Sequence, residues 1–234
     1  MPAKNVIKSY VPDGYYHVYN RGVNKSDIFL DEKDYRVFLS YLATALTPKD
    51  EKKLRATMLD VSLSYKDREE ASKFLRLKNF TGKIDLLAYV LMPNHFHFLI
   101  KQKGEGDMTA FVQAVMIRFT MYENFRHKRV GPVFQGAYKA VLVADEAQLL
   151  HVSRYIHRNP FSLEGFHPAR LQPSSYPNYL GEIHQEWMKP AEILSYFPKA
   201  KTGFLSYKAF VEMQDGDFET MSIEYIKEAA IDVI

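Results

Sequence analysis

A chain of 234 residues, 47% hydrophobic and 25% charged, has the balance of a soluble globular protein and is long enough to bury a real core. It contains no cysteine, which excludes disulfides and thiolate metal sites and leaves histidine, carboxylate, amide or water to hold any metal. The net charge of +3 is unevenly spread: Arg118 to Arg158 carries seven Lys/Arg against three acids, and Glu182 to the end carries ten acids against five lysines. The basic middle suits a polyanion or an ordinary solvated face. The N-terminal "MPAKNVIKSYVPDG" lacks an apolar signal core, and no stretch approaches the roughly 20 apolar residues of a membrane span. The expectation is a cytoplasmic protein with no membrane partner.

In chain order, "GYYHVYNRG" (14–22) is bounded by glycines and rich in Tyr and Val, and predicts a strand. "DEKDYRVFLSYLATAL" follows, with Val37, Phe38, Tyr41, Leu42 and Ala45 at helical spacing and acids in the first turn. Residues 47–83 are charge-dense, with a patchy helical pattern in Leu63, Phe74 and Leu77, and read as a helical insertion loosely tied to the core. "IDLLAYVLMPNHFHFLIK" then places two apolar runs around Pro93-Asn94, which predicts strand, tight turn, strand. Met108, Phe111, Val112, Val115, Phe119 and Tyr122 form one stripe of a second helix. "AYKAVLV" (137–143) reads as a strand. In "DEAQLLHVSRYIHRNP", Asp145 and Gln148 make a capping-box-like start, and Pro160 is expected to end the helix by disfavouring helical geometry at Asn159. The order β-α-(insert)-β-β-α-β-α predicts an α+β sandwich with helices covering a mostly antiparallel sheet.

His95 and His97 are the conspicuous residues of "MPNHFHFLI". Alternation along a strand puts both on one face, with Phe96 and Phe98 on the other. Two imidazoles so placed form half of a divalent metal site, or are two structural histidines bonded to backbone. On the later helix, Tyr155 and Asn159 are i and i+4 and share a side. They offer a phenol and an amide to one spot, or are a surface tyrosine and a helix-closing asparagine.

"YYHVYNRGVNKSDIF", "YVLMPNHFHFLI", "GPVFQGAYKAVLV", "RYIHRNP" and "PSSYPNYLG" occur in this order, across residues 10–46 and 84–181. In this the chain resembles the single-tyrosine transposases of the IS200/IS605 type, above all the REP-associated tyrosine transposases. The resemblance implies a ferredoxin-like α+β fold with the metal on a sheet face. It implies His95 and His97 as metal ligands, Asn159 as the third, amide-type ligand, and Tyr155 as the nucleophile. The expected cofactor is Mg²⁺ or Mn²⁺. The expected partner is single-stranded DNA with a hairpin, either REP-like or a transposon end, bound by a monomer or homodimer. The expected reaction is DNA cleavage and strand transfer through a 5′-phosphotyrosine; a catalytically silent single-strand-binding module on the same scaffold is the alternative. By resemblance Asn20, Arg21, Arg126 and Lys139 are DNA contacts, while His17 reads as structural. The expected organisation is a catalytic domain over 1–181 and an acidic helical extension over 182–234. The 47–83 segment, "FSLEGF" after the "NP" and the acidic tail depart from the family pattern, which bears on DNA sequence preference more than on chemistry.

Overall fold

The computed structural model describes residues 10–162, 173–197 and 206–212. Four strands, β1 (Tyr15–Arg21), β2 (Ile84–Met92), β3 (His95–Gln102) and β4 (Lys139–Val143), form one sheet in the order β2-β3-β1-β4. Every pairing is antiparallel. Helices α1 (Glu32–Leu46) and α4 (Asp107–Arg126) lie on one side of the sheet, and α5 (Glu146–Arg158) lies on the other. This is the ferredoxin-like sandwich expected from the sequence, with its elements in the expected order.

Local chemistry accounts for the boundaries. Asp31 caps α1, its carboxylate accepting from the Lys33 and Asp34 N–H groups, and Asp145 caps α5 by accepting from Gln148 N–H at 2.8 Å. The reciprocal bond from the Gln148 side chain falls one residue earlier than in a capping box, on Ala144 N–H at 2.9 Å. A Cβ at Gly22 would collide with the Ser26 carbonyl oxygen, so the tight turn after β1 requires glycine there. The expected effect of Pro160 is only partly what the structure shows. The α5 helix ends at Arg158, but Asn159 keeps helical dihedrals (φ −50°, ψ −42°), and the chain continues as a 3₁₀ turn, Asn159–Ser162. The preference of a residue before proline for extended backbone is overridden here by the Asn159 N–H bond to the Tyr155 carbonyl.

Alternation divides the sheet into two cores. Val18, Phe96 and Phe98 pack against Phe38 and Leu42 of α1 and Phe111, Val115 and Phe119 of α4. Each fully buried phenylalanine contributes on the order of 1.5–3 kcal/mol. On the other side Val90, Met92 and Leu99 meet Leu149, Val152 and Ile156 of α5. A bulge between Leu86 and Ala88 puts Leu87 and Ala88 consecutively into this second core. Short helices α6 (Tyr176–Tyr179), α7 (Ala191–Leu194) and α8 (Tyr207–Glu212) complete it through Tyr176, Tyr179, Ile193, Tyr207 and Val211. The described parts of the 182–234 extension therefore pack on the sheet, and residues 213–234 lie outside the described residues. The 47–83 segment forms α2 (Glu51–Leu59) and α3 (Tyr65–Arg76), in which only Ala71 is buried among the helical residues. It is moored at its ends: Asn79 donates to the Thr47 carbonyl at 2.7 Å and Phe80 N–H to the Ala45 carbonyl at 2.7 Å.

Between α1 and α4 lies a buried polar group, Asp34, Glu123 and His127, whose potential ligand atoms all lie within 4.8 Å of one another. That donor set could hold a divalent ion, but Arg126 already bonds Asp34 and supplies a cation there. Both Glu123 carboxyl oxygens are buried without a hydrogen-bond partner. Burial, then the Asp34 charge, pushes the Glu123 pKa up from 4.5 to about 7. The folded protein thus holds this proton between pH 4.5 and about 7 where the unfolded chain releases it, so the group lowers stability as pH rises through that window. Glu123→Gln removes the penalty: at pH 8 the melting temperature should rise by roughly 2–8 °C, from about 1–2 kcal/mol at ~2–4 °C per kcal/mol. The gain should vanish near pH 4.5. A melting curve for the variant that is lower at pH 8 would show that the carboxylate is satisfied.

Candidate active site

The sheet face under α5 carries more than apolar residues. Strand register sets Arg21 opposite His95, Tyr19 opposite His97, and Lys139 beyond Tyr19 on β4. Together with His17, two residues earlier on β1, these side chains share one face. His97 and His17 are almost fully buried, and His97 Nδ1 lies 2.9 Å from His17 Nε2 with the rings stacked at 5.0 Å. His95 Nδ1 lies 2.6 Å from the side-chain oxygen of Asn94. The turn residue thus holds the imidazole at the mouth of the hairpin.

From the opposite side, α5 lowers Tyr155 onto this group. Its ring meets His97 edge-on at 5.3 Å and His17 at 5.7 Å. Leu149, Val152 and Ile156 are buried in the same core and fix the rotation of the helix. Because Asn159 keeps helical geometry, it stays one turn below Tyr155, and its side chain interacts with both Tyr155 and His95. The phenol, the amide and the His95 imidazole therefore form one connected set beside His97.

Electrostatics keep the histidines neutral. Burial, then the Arg21 charge, lowers His95 to about 4, against a smaller upward pull from its bond to Asn159. Burial, then the neighbouring His17, His95 and Arg21, holds His97 well below its usual value. His17 is lowered to about 3 by burial. Burial raises the Tyr155 phenol, and the bond from Asn159 and the Arg21 charge pull it partly back. Neutral imidazoles have a lone pair to give, as a metal ligand requires. The Nε2 of His97 is buried with no hydrogen-bond partner. An orphaned ring nitrogen of this kind fits a metal ligand whose ion is not part of the structure. His95, His97 and Asn159 therefore fit a divalent ion taken by nitrogen and oxygen donors rather than by thiolate.

The structure brings together His95, His97, Tyr155, Asn159 and Arg21, with Lys139 on the same face of the exposed edge strand, its Nζ 5.8 Å from the Tyr19 ring centre. It does not bring Asn20 or Arg126 there. Asn20 points to the opposite face, is 7% exposed, and spends its amide on the Gly136 carbonyl at 3.1 Å and on Arg21 N–H at 2.8 Å. Arg126 sits at the end of α4, on the far side of the sheet, where Asp31 and Asp34 hold its guanidinium. In this arrangement one is a buried backbone anchor and the other an ion-paired tie between α1 and α4. His17 was the residue that sequence reasoning underused. The alternation of His17, Tyr19 and Arg21 was visible, but its meeting with His97 depends on register.

The arrangement of sheet and helices is similar to the structure of a REP-associated tyrosine transposase bound to a REP hairpin, at TM-score 0.50 and 13% identity, covering 87% of this chain and 96% of that one. A putative transposase from Deinococcus radiodurans R1 matches at 15% identity and TM-score 0.27, over 67% of this chain and 95% of that one. No curated protein matches the sequence. The family model described as "Transposase IS200 like" matches residues 52–159. The matched segment holds both the histidine strand and the tyrosine helix. It begins inside the 47–83 segment that the sequence motifs left out of the resemblance.

Proposed function

We propose that this protein cleaves and rejoins single-stranded DNA, with Tyr155 as nucleophile and a divalent ion, Mg²⁺ or Mn²⁺, held by His95, His97 and Asn159. One observation supports the reading: the Asn159 side chain interacts with both the Tyr155 phenol and His95, and the neighbouring His97 has a buried Nε2 with no hydrogen-bond partner. The proposed donors and nucleophile thus lie in one neighbourhood. When bound, the ion supplies electrophilic activation of a phosphate oxygen. Its three donors are all neutral, so the site favours an anionic ligand such as a phosphodiester to balance the charge.

The chain's own groups account for the remaining steps. Arg21 and Lys139, on the same face, attract and orient the phosphate backbone. The Tyr155 oxygen attacks phosphorus as its proton leaves, the bond to the 3′ oxygen breaks, and the products are a 5′-phosphotyrosine and a free 3′-OH. The adduct keeps the energy of the phosphodiester, so a second 3′-OH can reverse the step and join new ends. Tyr155 meets the histidines of its own chain, which supports action in cis, by a monomer or by each protomer of a homodimer. The hairpin bound by the similar REP-associated transposase supports hairpin-bearing DNA as the substrate. We assign the catalytic domain to residues 1–181 and the activity to the cytoplasm. Nicking of a labelled hairpin oligonucleotide, dependent on Mn²⁺ and abolished by a chelator, tests the reading. Metal-independent binding without nicking would favour the silent binding module.

His17 is a positioning residue in this scheme. By accepting a hydrogen bond from Nδ1–H of His97, it leaves the lone pair of His97 on Nε2. His17→Leu should weaken Mn²⁺ affinity by roughly 10–100-fold, and His17→Gln, which can accept the same bond, should recover most of it. Nitrogen chemical shifts of His97 in the metal-free protein report the tautomer. Equal Mn²⁺ affinity in the leucine and glutamine variants would remove His17 from the site.

A further inference from the structure

The opposite side of the molecule has a feature that the histidine site does not use. Where the end of α3 meets the outer surfaces of α1 and α4, small residues leave a hollow of about 260 Å³, floored by Ala45, Ala110 and Ala114. Its walls carry three cations, Arg76, Lys78 and Arg118. The Arg118 guanidinium carbon lies over the Tyr41 ring, 4.0 Å from its centre. A fourth cation, Lys49, stands close behind: it donates to the Leu77 and Leu75 carbonyls at the end of α3. Burial is the leading cause that lowers both Arg118 and Lys49; the Glu51 charge pulls Lys49 partly back up, and the Arg118 charge lowers it further.

None of these four cations forms an ion pair with a carboxylate among the described residues. On the same helices Arg36, Arg55, Lys73 and Arg126 do each have an acidic partner. Like charges gathered around a concave, small-floored hollow repel one another, and an anion that enters it relieves the repulsion. The apolar floor and Ile117, 60% exposed at the rim, offer contact to a sugar or base rather than to a bare ion. A planar guanidinium already fixed on an aromatic ring is pre-organised for a phosphate.

We propose that this hollow is a second nucleic-acid site, taking a phosphate-bearing nucleotide unit. On the functional reading above it would hold a stretch of DNA strand distant from the cleaved bond. It would also give the α2–α3 hairpin a role, since Arg76 and Lys78 are delivered by the end of that hairpin. The same chemistry would accept a free nucleotide.

The test is binding, which needs neither Tyr155 nor cleavage, so it remains readable if the nucleophile assignment fails. A fluorescent hairpin oligonucleotide with a long single-stranded flank, and the same hairpin without it, are titrated by anisotropy across a salt series. Two variants are compared with wild type: Arg76→Gln with Lys78→Gln, both exposed positions, and Ala114→Met, which fills the floor without changing charge. Both should weaken binding of the flanked hairpin by roughly 5–50-fold at low salt. The charge variant should also reduce the salt slope by about 1–1.5, at ~0.7 per phosphate contact for a single strand. If instead the flank makes no difference but 5′-dAMP binds wild type and neither variant, the site is real and its ligand is a free nucleotide. Unchanged affinity for both probes in both variants overturns the proposal. So does a loss confined to the charge variant, because the cations would then act without the hollow.

Discussion

His95→Ala combined with His97→Ala should abolish Mn²⁺ binding and reduce cleavage by at least ~10³-fold, with the protein still folded. The strand that carries the pair is held from its other face by Phe96 and Phe98, both buried against α1 and α4. Its backbone is bonded on one side to β2 and on the other to β1. The two substitutions are unequal. His95 sits at the half-exposed mouth of the hairpin. His97 is 3% exposed, and its loss strands His17 Nε2 without a partner. We expect a cost of about 1–3 kcal/mol from that stranded nitrogen and the space left behind, which a chain of this size tolerates. Calorimetric titration with Mn²⁺, beside a melting curve, checks both halves. Unchanged Mn²⁺ affinity in the folded double variant would move the metal elsewhere, with the Asp34, Glu123 and His127 group as the next place to look.

Tyr155→Phe should separate binding from chemistry. The variant keeps the ring that packs edge-on against His97 and His17 and removes only the phenolic oxygen. Metal affinity and DNA affinity should stay within about twofold of wild type, while cleavage falls by at least ~10³-fold. The lost oxygen is the one that interacts with Asn159, which also interacts with His95, so Asn159 is freed to turn toward His95. A modest gain in metal affinity is therefore compatible with the scheme and a large loss is not. A large loss would mean that the phenol holds Asn159 in place as a structural element and that the nucleophile lies elsewhere among the tyrosines.

Much of the fold was legible because it is written in local periodicity. The stripe of Met108, Phe111, Val112, Val115 and Phe119 is buried as a helix must bury it. Period-two alternation alone put His95 and His97 on one face and Phe96 and Phe98 on the other. The i, i+4 spacing put Tyr155 above Asn159, and α5 ends at Arg158 just before the Asn159-Pro160 pair; the only difference is that Asn159 itself keeps helical geometry. What stayed illegible depends on contacts between distant segments. Asn20 and Arg21 are neighbours in sequence, and alternation requires them to point to opposite faces. Which face held the histidines followed only from the pairing of β1 with β3. Arg126 carries the right charge for DNA, but its carboxylate partners stand more than 90 residues earlier in the chain. His17 looked structural because its strand says nothing of His97, and the bond between them spans 80 residues.

The central claim is that Tyr155 becomes joined to DNA. The direct measurement uses wild-type protein, Mn²⁺ and a hairpin oligonucleotide labelled at its 3′ end. The covalent protein–DNA species is isolated under denaturing conditions, digested with protease and nuclease, and its modified peptide sequenced by mass spectrometry. The scheme predicts a single adduct, a 5′-phosphate ester on Tyr155, within the α5 peptide that ends near Arg158. An adduct on any other tyrosine, or cleavage that proceeds with no adduct at all, would contradict it.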